Sequence, residues 1–66
     1  MSRVTRETVI AAREAAGLRQ REMAALAGVT LRSYQRWEAE GATHRHPHPD
    51  TWAKVERLLR ARARRK

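Results

Sequence analysis

Residues 20–38 read QREMAALAGVTLRSYQRWE. A short helical pattern, Gln20 to Ala27, stops at Gly28, and a second pattern starts from Thr30 and runs to about Ala39. Met23, Ala24, Leu26 and Ala27 make the inward side of the first. Ala24 matters because two helices approach closely only where a side chain is small. Gly28 can take the left-handed conformation that ends a helix and turns the chain. Val29, apolar within the turn, is expected to pack inward, and Thr30 is a good N-cap for the second helix. On that helix Tyr34 and Trp37 share one face, about 60° apart at 100° per residue. Arg32 and Arg36 lie opposite them, one turn apart, flanked by Leu31, Ser33 and Gln35. An ordinary solvated face would interleave more acidic residues. Here Glu38 falls on the inward side and Glu40 comes late.

Working outward, a helix is expected at about residues 5–16. Thr5 caps it, Glu7 stands in the first turn where the helix dipole favours negative charge, and Val4 and Val9 have staple spacing. Val9, Ala12 and Ala16 make a modest apolar stripe with Ile10 beside it, and Gly17 serves as C-cap. Leu18 is expected to plug the core. The helix at about 20–27 starts after Arg19, a poor N-cap. Recognisable helix pattern resumes at about 30–39, where Gly41 is expected to end it. Residues 41–49, GATHRHPHP, read as a loop with Pro47 and Pro49 holding their neighbours extended. A last helix is expected at about 50–62, capped by Asp50, with Trp52, Val55, Leu58 and Leu59 as its stripe. The reading is all-α, about four helices in a single domain.

Sixty-six residues bound the possibilities. Such a chain buries only about 60% of the surface its unfolded form exposes, so the core is small. With no cysteine, neither disulfides nor a cysteine-ligated zinc can staple it. No apolar run is long enough to span a membrane and no signal segment opens the chain, which points to a cytoplasmic protein. There is no Ser/His/Asp constellation, glycine-rich phosphate loop or paired carboxylates, so no enzyme is expected. His44, His46 and His48 alternate, but no Cys or carboxylate accompanies them in the loop, and neither a metal nor another cofactor is expected. The net charge is +8, and residues 54–66 hold seven basic side chains against Glu56. This block, most basic at its end 60–66, suits a polyanion partner; a solvated, frayed terminus is the other reading, and the two are compatible.

The 20–38 stretch resembles the helix-turn-helix of the lambda-repressor and Cro-like, or Xre-type, family. Gln20 opens the first of the two helices, Glu22 and Met23 precede the small Ala24, and Gly28-Val29-Thr30 makes the turn. Tyr34 and Trp37 take the apolar places, Trp37-Glu38 followed by Gly41 closes the unit, and Arg13-Glu14-Ala15-Ala16-Gly17-Leu18 looks like the family's end of helix 1. The resemblance covers about residues 9–41. The sequence departs from it in three ways. Arg19 stands where Ser or Thr is usual, the Glu38-to-Gly41 segment is one residue longer, and only one helix follows the loop where relatives often have two.

The resemblance implies sequence-specific binding of double-stranded DNA, with the 30–39 helix in the major groove. It also implies a pairing of Arg13 with Glu38. Arg32 and Arg36 are the first choices for reading base edges, since an arginine can present two donors to guanine; phosphate contact is their other role. Leu31 can meet a thymine methyl or serve as partial core, and Gln35 and Ser33 are secondary contacts. Gln20, Arg19, Arg21, Thr30 and Arg45 are the phosphate candidates. A small repressor or autorepressor on a palindromic operator is expected, as a homodimer that uses Trp52, Val55, Leu58 and Leu59. The stripe's other reading is monomer core. Stand-alone domains of this kind resemble phage or mobile-element regulators, including those beside toxin or anti-CRISPR genes, acting at the bacterial nucleoid. The alternatives are an antitoxin-like protein-interaction module, or an RNA or non-specific polyanion binder working through the basic end.

Overall fold

A computed structural model of the chain describes residues 4–64, so Arg65 and Lys66 of the basic end lie outside the described residues. Its elements are α1 (Arg6–Ala16), α2 (Gln20–Ala27), α3 (Leu31–Glu38), a one-turn 3-10 helix (Gly41–Thr43) and α4 (Pro49–Arg64). Among the described residues there is no strand. The fold is all-α, a small helix-turn-helix domain.

Local chemistry sets most boundaries. Thr5 accepts the Thr8 N–H at the start of α1, and Gly17 ends it at φ +68. Gly28, at φ +73, ends α2 and returns its own N–H to Ala24 and Ala25 carbonyls. Thr30 caps α3 by accepting the Ser33 N–H at 3.0 Å. Each such cap satisfies backbone groups that a helix end leaves without a partner, worth about 1 kcal/mol. The start of α2 is solved differently. An arginine side chain has no acceptor, so Arg19 cannot cap. Instead Glu22, three residues on, accepts the Arg19 N–H at 2.8 Å, which is the reciprocal half of a capping box.

Two ends depart from expectation. Gly41 does not terminate α3; the helix stops at Glu38, Ala39 is extended, and Gly41 begins the 3-10 turn. The freed carbonyls find other donors: Arg6 Nε reaches Glu38 O at 2.8 Å, and the Arg45 and Ala39 N–H groups reach Arg36 O. Nor does Asp50 cap α4. Pro49 is its first residue, a position where the missing N–H costs nothing, and the His48 ring accepts the Asp50 N–H at 3.1 Å.

The core gathers Val9, Leu18, Met23, Ala24, Ala27, Tyr34, Trp37, Trp52 and Val55, with Val4, Ala12, Leu26, Val29 and Leu59 packed against it. α2 packs on both α3 and α4, and α1 packs on α3. Tyr34, Trp37 and Trp52 form an edge-to-face series, with centroids 5.5 and 6.5 Å apart, that ties α3 to α4. α4 runs back along α2. Lys54 Nζ lies 3.7 Å from where a Cβ on Gly28 would stand, whereas Arg62 borders Leu18 and Glu22 near the start of α2.

This packing corrects the homodimer contact expected of α4. Trp52 is 4% exposed and Val55 fully buried, so both are spent inside the monomer. A core this small has few other large side chains to fill it. Leu58 and Leu59 are half-buried and remain at the helix edge.

Candidate nucleic-acid interface

The outward face of α3 forms the wall of a shallow open groove lined by Leu31, Arg32, Gln35, Arg36, Ala39 and Thr43. Arg32, Ser33, Gln35 and Arg36 are exposed, and Leu31 is 39% exposed, so α3 leaves an apolar side chain in water beside its arginines. Among the described residues neither Arg32 nor Arg36 forms an ion pair. Ser33 stands apart from the groove: its hydroxyl oxygen accepts from the Thr30 hydroxyl at 3.0 Å, so both serve the start of α3.

The opposite face of α3 carries its anchor. Glu38 is 8% exposed at its side chain and Arg13 is 21% exposed. Arg13 Nε donates to Glu38 Oε2 at 2.7 Å and Arg13 Nη2 to Oε1 at 3.3 Å, a two-point pairing across α1 and α3. Gln20 Nε2 donates to Oε1 at 2.9 Å. The Tyr34 hydroxyl also donates to Glu38. Arg13 further donates to the Leu18 carbonyl. One carboxylate thereby joins α1, α2 and α3. Burial works to raise the Glu38 pKa, but the donors from Arg13, Tyr34 and Gln20 outweigh it and hold the carboxyl below the usual carboxylate range. Tyr34 is pushed the other way, first by burial and then by its bond to the carboxylate. Arg13 is raised by its hydrogen bond to Glu38.

The phosphate candidates fall in three places. Arg19 and Arg21 are exposed at the start of α2, and Thr30 is exposed at the start of α3. Arg45 is exposed, and its backbone is pinned to the end of α3 through Arg36 O. Gln20 differs from expectation. Its carboxamide is engaged inside the domain, donating to Glu38 and accepting from Gln35 Nε2 at 3.3 Å. A carboxylate accepts more strongly than water, which holds one of the two Nε2 hydrogens inside the domain.

Sequence reasoning missed Arg6 as the partner of the last α3 carbonyl and Glu22 as the cap of α2. Nothing local signals the first. The second has a signal, an acidic residue three positions after the cap. Of the loop histidines, the His44 and His46 rings lie 4.5 Å apart, and His46 Nδ1 is 2.8 Å from Val4 O. Among the described residues no group of three or more His, Cys, Asp or Glu side chains could hold a metal ion.

An amphipathic helix, bolted through an ion pair at one end and presenting arginines on its free face, defines a helix-presenting domain of the helix-turn-helix class. A helix-turn-helix family model matches residues 9–64. The chain belongs to that family, of lambda-repressor or Xre type, whose members are DNA-binding, non-enzymatic domains. It is a DNA-binding helix-turn-helix regulator, and its partner is double-stranded DNA. No curated protein matches the chain significantly, and neither does any solved structure. Among the described residues no helix is long and apolar enough to cross a membrane.

Proposed function

We propose that the chain is a sequence-specific transcriptional repressor, an autorepressor of its own operon, that lays α3 into the major groove of an inverted-repeat operator. The observation that carries this reading is the free face of α3, where Arg32 and Arg36 stand exposed and outside any ion pair among the described residues. Arginine presents two donors to guanine O6 and N7. The exposed Leu31 is the apolar side chain offered to a thymine methyl. Arg19, Arg21, Thr30 and Arg45, all exposed, supply phosphate contacts that set register without reading sequence. Gln20 contributes through its neighbours, since its side chain is already engaged.

A single domain of this size covers one half-site with an interface of about 600–1,000 Å². A homodimer on a palindrome doubles that, with its two α3 helices about 34 Å apart. Leu58 and Leu59 are the α4 side chains left for such a contact, Trp52 and Val55 being core.

Selection from random duplex DNA tests the reading. The wild type is expected to yield a symmetric consensus that Arg32→Ala and Arg36→Ala each relax at particular positions. Salt-sensitive binding with no consensus would overturn it and leave a polyanion binder that works through the basic end of α4.

A further inference from the structure

The solvent face of α4 carries positive charge that the α3 site does not use. At 100° per residue, Arg57, Arg60 and Arg64 fall within about 60° of one another, on a stripe roughly opposite Val55. Val55 is fully buried, whereas all three arginines are exposed. Among the described residues none of them forms an ion pair, not even Arg60 with Glu56 one turn before it. The helix dipole accounts for basic residues in the last turn, Arg62 and Arg64. It does not account for Arg57 and Arg60 in the middle turns, where like charges on one helix face oppose helix formation. A face that served solubility alone would mix both signs of charge.

The stripe lies away from α3. α1 turns Arg6 and Arg13 toward the end of α3, and Ala12, Ala15 and Ala16 toward Leu59 of α4. α2 turns Gln20 toward α3, and Ala25 and Leu26 toward Arg62 of α4. α3 and α4 therefore lie on different sides of the α1–α2 pair, and their free faces point in different directions. A duplex seated on α3 leaves the stripe uncovered. The stripe also clears Leu58 and Leu59, which flank Val55 on the other side of the helix.

The chemistry of the stripe selects its partner. Trp52, the aromatic side chain of α4, is buried, so no ring is offered for the bases of a single strand to stack on. The apolar side of α4 is spent on the core, so it can enter neither a membrane surface nor a helix-binding groove. The exposed residues beside the arginines, Ala53 and Ala61, supply no large anchor for a protein interface. What is offered is a row of guanidinium groups, each able to present two donors to phosphate oxygens. We propose that the outer face of α4 is a second, sequence-independent surface for the phosphate backbone of a DNA duplex, so that one molecule holds two duplex segments. This requires α3 to occupy the first segment but does not require it to read sequence.

The test uses the whole chain. Protein is loaded on a short bead-tethered duplex of random sequence, and capture of a free fluorescent duplex of the same kind is counted per protein retained. Wild type should capture the second duplex. Capture should fall roughly 40-fold between about 50 and 200 mM salt, the effect of three phosphate contacts at a slope of about −0.9 each. The triple variant Arg57→Gln, Arg60→Gln, Arg64→Gln should lose capture while the tethered duplex still retains it. All three positions are exposed and glutamine suits a helix; thermal melting confirms that the variant is folded. A triple variant that captures as wild type does would overturn the inference, because the second duplex would then be held elsewhere, as by the second α3 of a dimer. A folded triple variant that the tethered duplex no longer retains would also overturn it, because the stripe would then grip the same duplex as α3. Wild type that captures nothing would do the same. The operator reading stands or falls separately, with the consensus from duplex selection.

Discussion

Replacing Glu38 with alanine should be the most damaging change that leaves every apolar core side chain in place. The side chain is 8% exposed and receives donors from Arg13, Gln20 and Tyr34. Removing it leaves the Arg13 guanidinium, 21% exposed, without its counter-charge. Breaking one side of a buried pair costs about 3–5 kcal/mol. Because Arg13 keeps some contact with water and with the Leu18 carbonyl, the lower end applies, about 3 kcal/mol. A domain of this length has a total stability of only about 3–10 kcal/mol at 0.05–0.15 kcal/mol per residue. The melting temperature should fall by about 12–24 °C at 4–8 °C per kcal/mol. Circular dichroism at the helix band, followed against temperature, measures this. A double-mutant cycle with Arg13→Ala separates the pair from the other contacts, and a coupling of about 1 kcal/mol or more is expected for residues sharing one network. A Glu38→Ala protein that melts within 3 °C of wild type would refute the reasoning. It would mean that the desolvation of the pair cancels its attraction, and that core packing alone clamps α3.

Three further outcomes follow from the same structure. Glu38 is held below its ordinary pKa. Its contribution is therefore fully present above the unfolded-state value, about 4.3, and is lost as pH falls through the lower folded value. Denaturant midpoints across acid pH should show that loss in wild type and much less of it in Glu38→Gln. Gly28→Ala should cost about 1–2 kcal/mol in urea titration; the reason is the left-handed φ of +73, since the nearest atom to the added Cβ is the flexible Lys54 Nζ at 3.7 Å. Trp52→Ala should cost about 3–5 kcal/mol and leave little folded protein by circular dichroism, because the ring is 4% exposed and closes the aromatic series from α3.

Helix placement was legible because it depends on neighbours in the chain. Thr5, Gly17, Gly28 and Thr30 act on backbone groups within four residues, so their effect can be read without knowing the fold. The two faces of α3 were legible for the same reason, since helical periodicity alone puts Tyr34 and Trp37 opposite Arg32 and Arg36. The misjudged ends show where local rules stop. α3 ends at Glu38, where Arg6, 32 residues away in the chain, supplies a donor to its last carbonyl. The apolar stripe of α4 could have faced a core or a partner, since periodicity records only that a face is buried. Packing against α2 and Trp37 assigned Trp52 and Val55 to the core.

The candidate site divides along the same line. By itself the chain determined that an arginine-bearing helix is presented after a glycine turn, because spacing, capping and charge are properties of adjacent residues. Only the tertiary structure decided what each polar side chain near that helix is free to do. Gln20 looked like an anion contact until α3 brought Glu38 beside it. A buried carboxylate must find donors wherever the fold supplies them, and one of those it found was the carboxamide that faces Gln35.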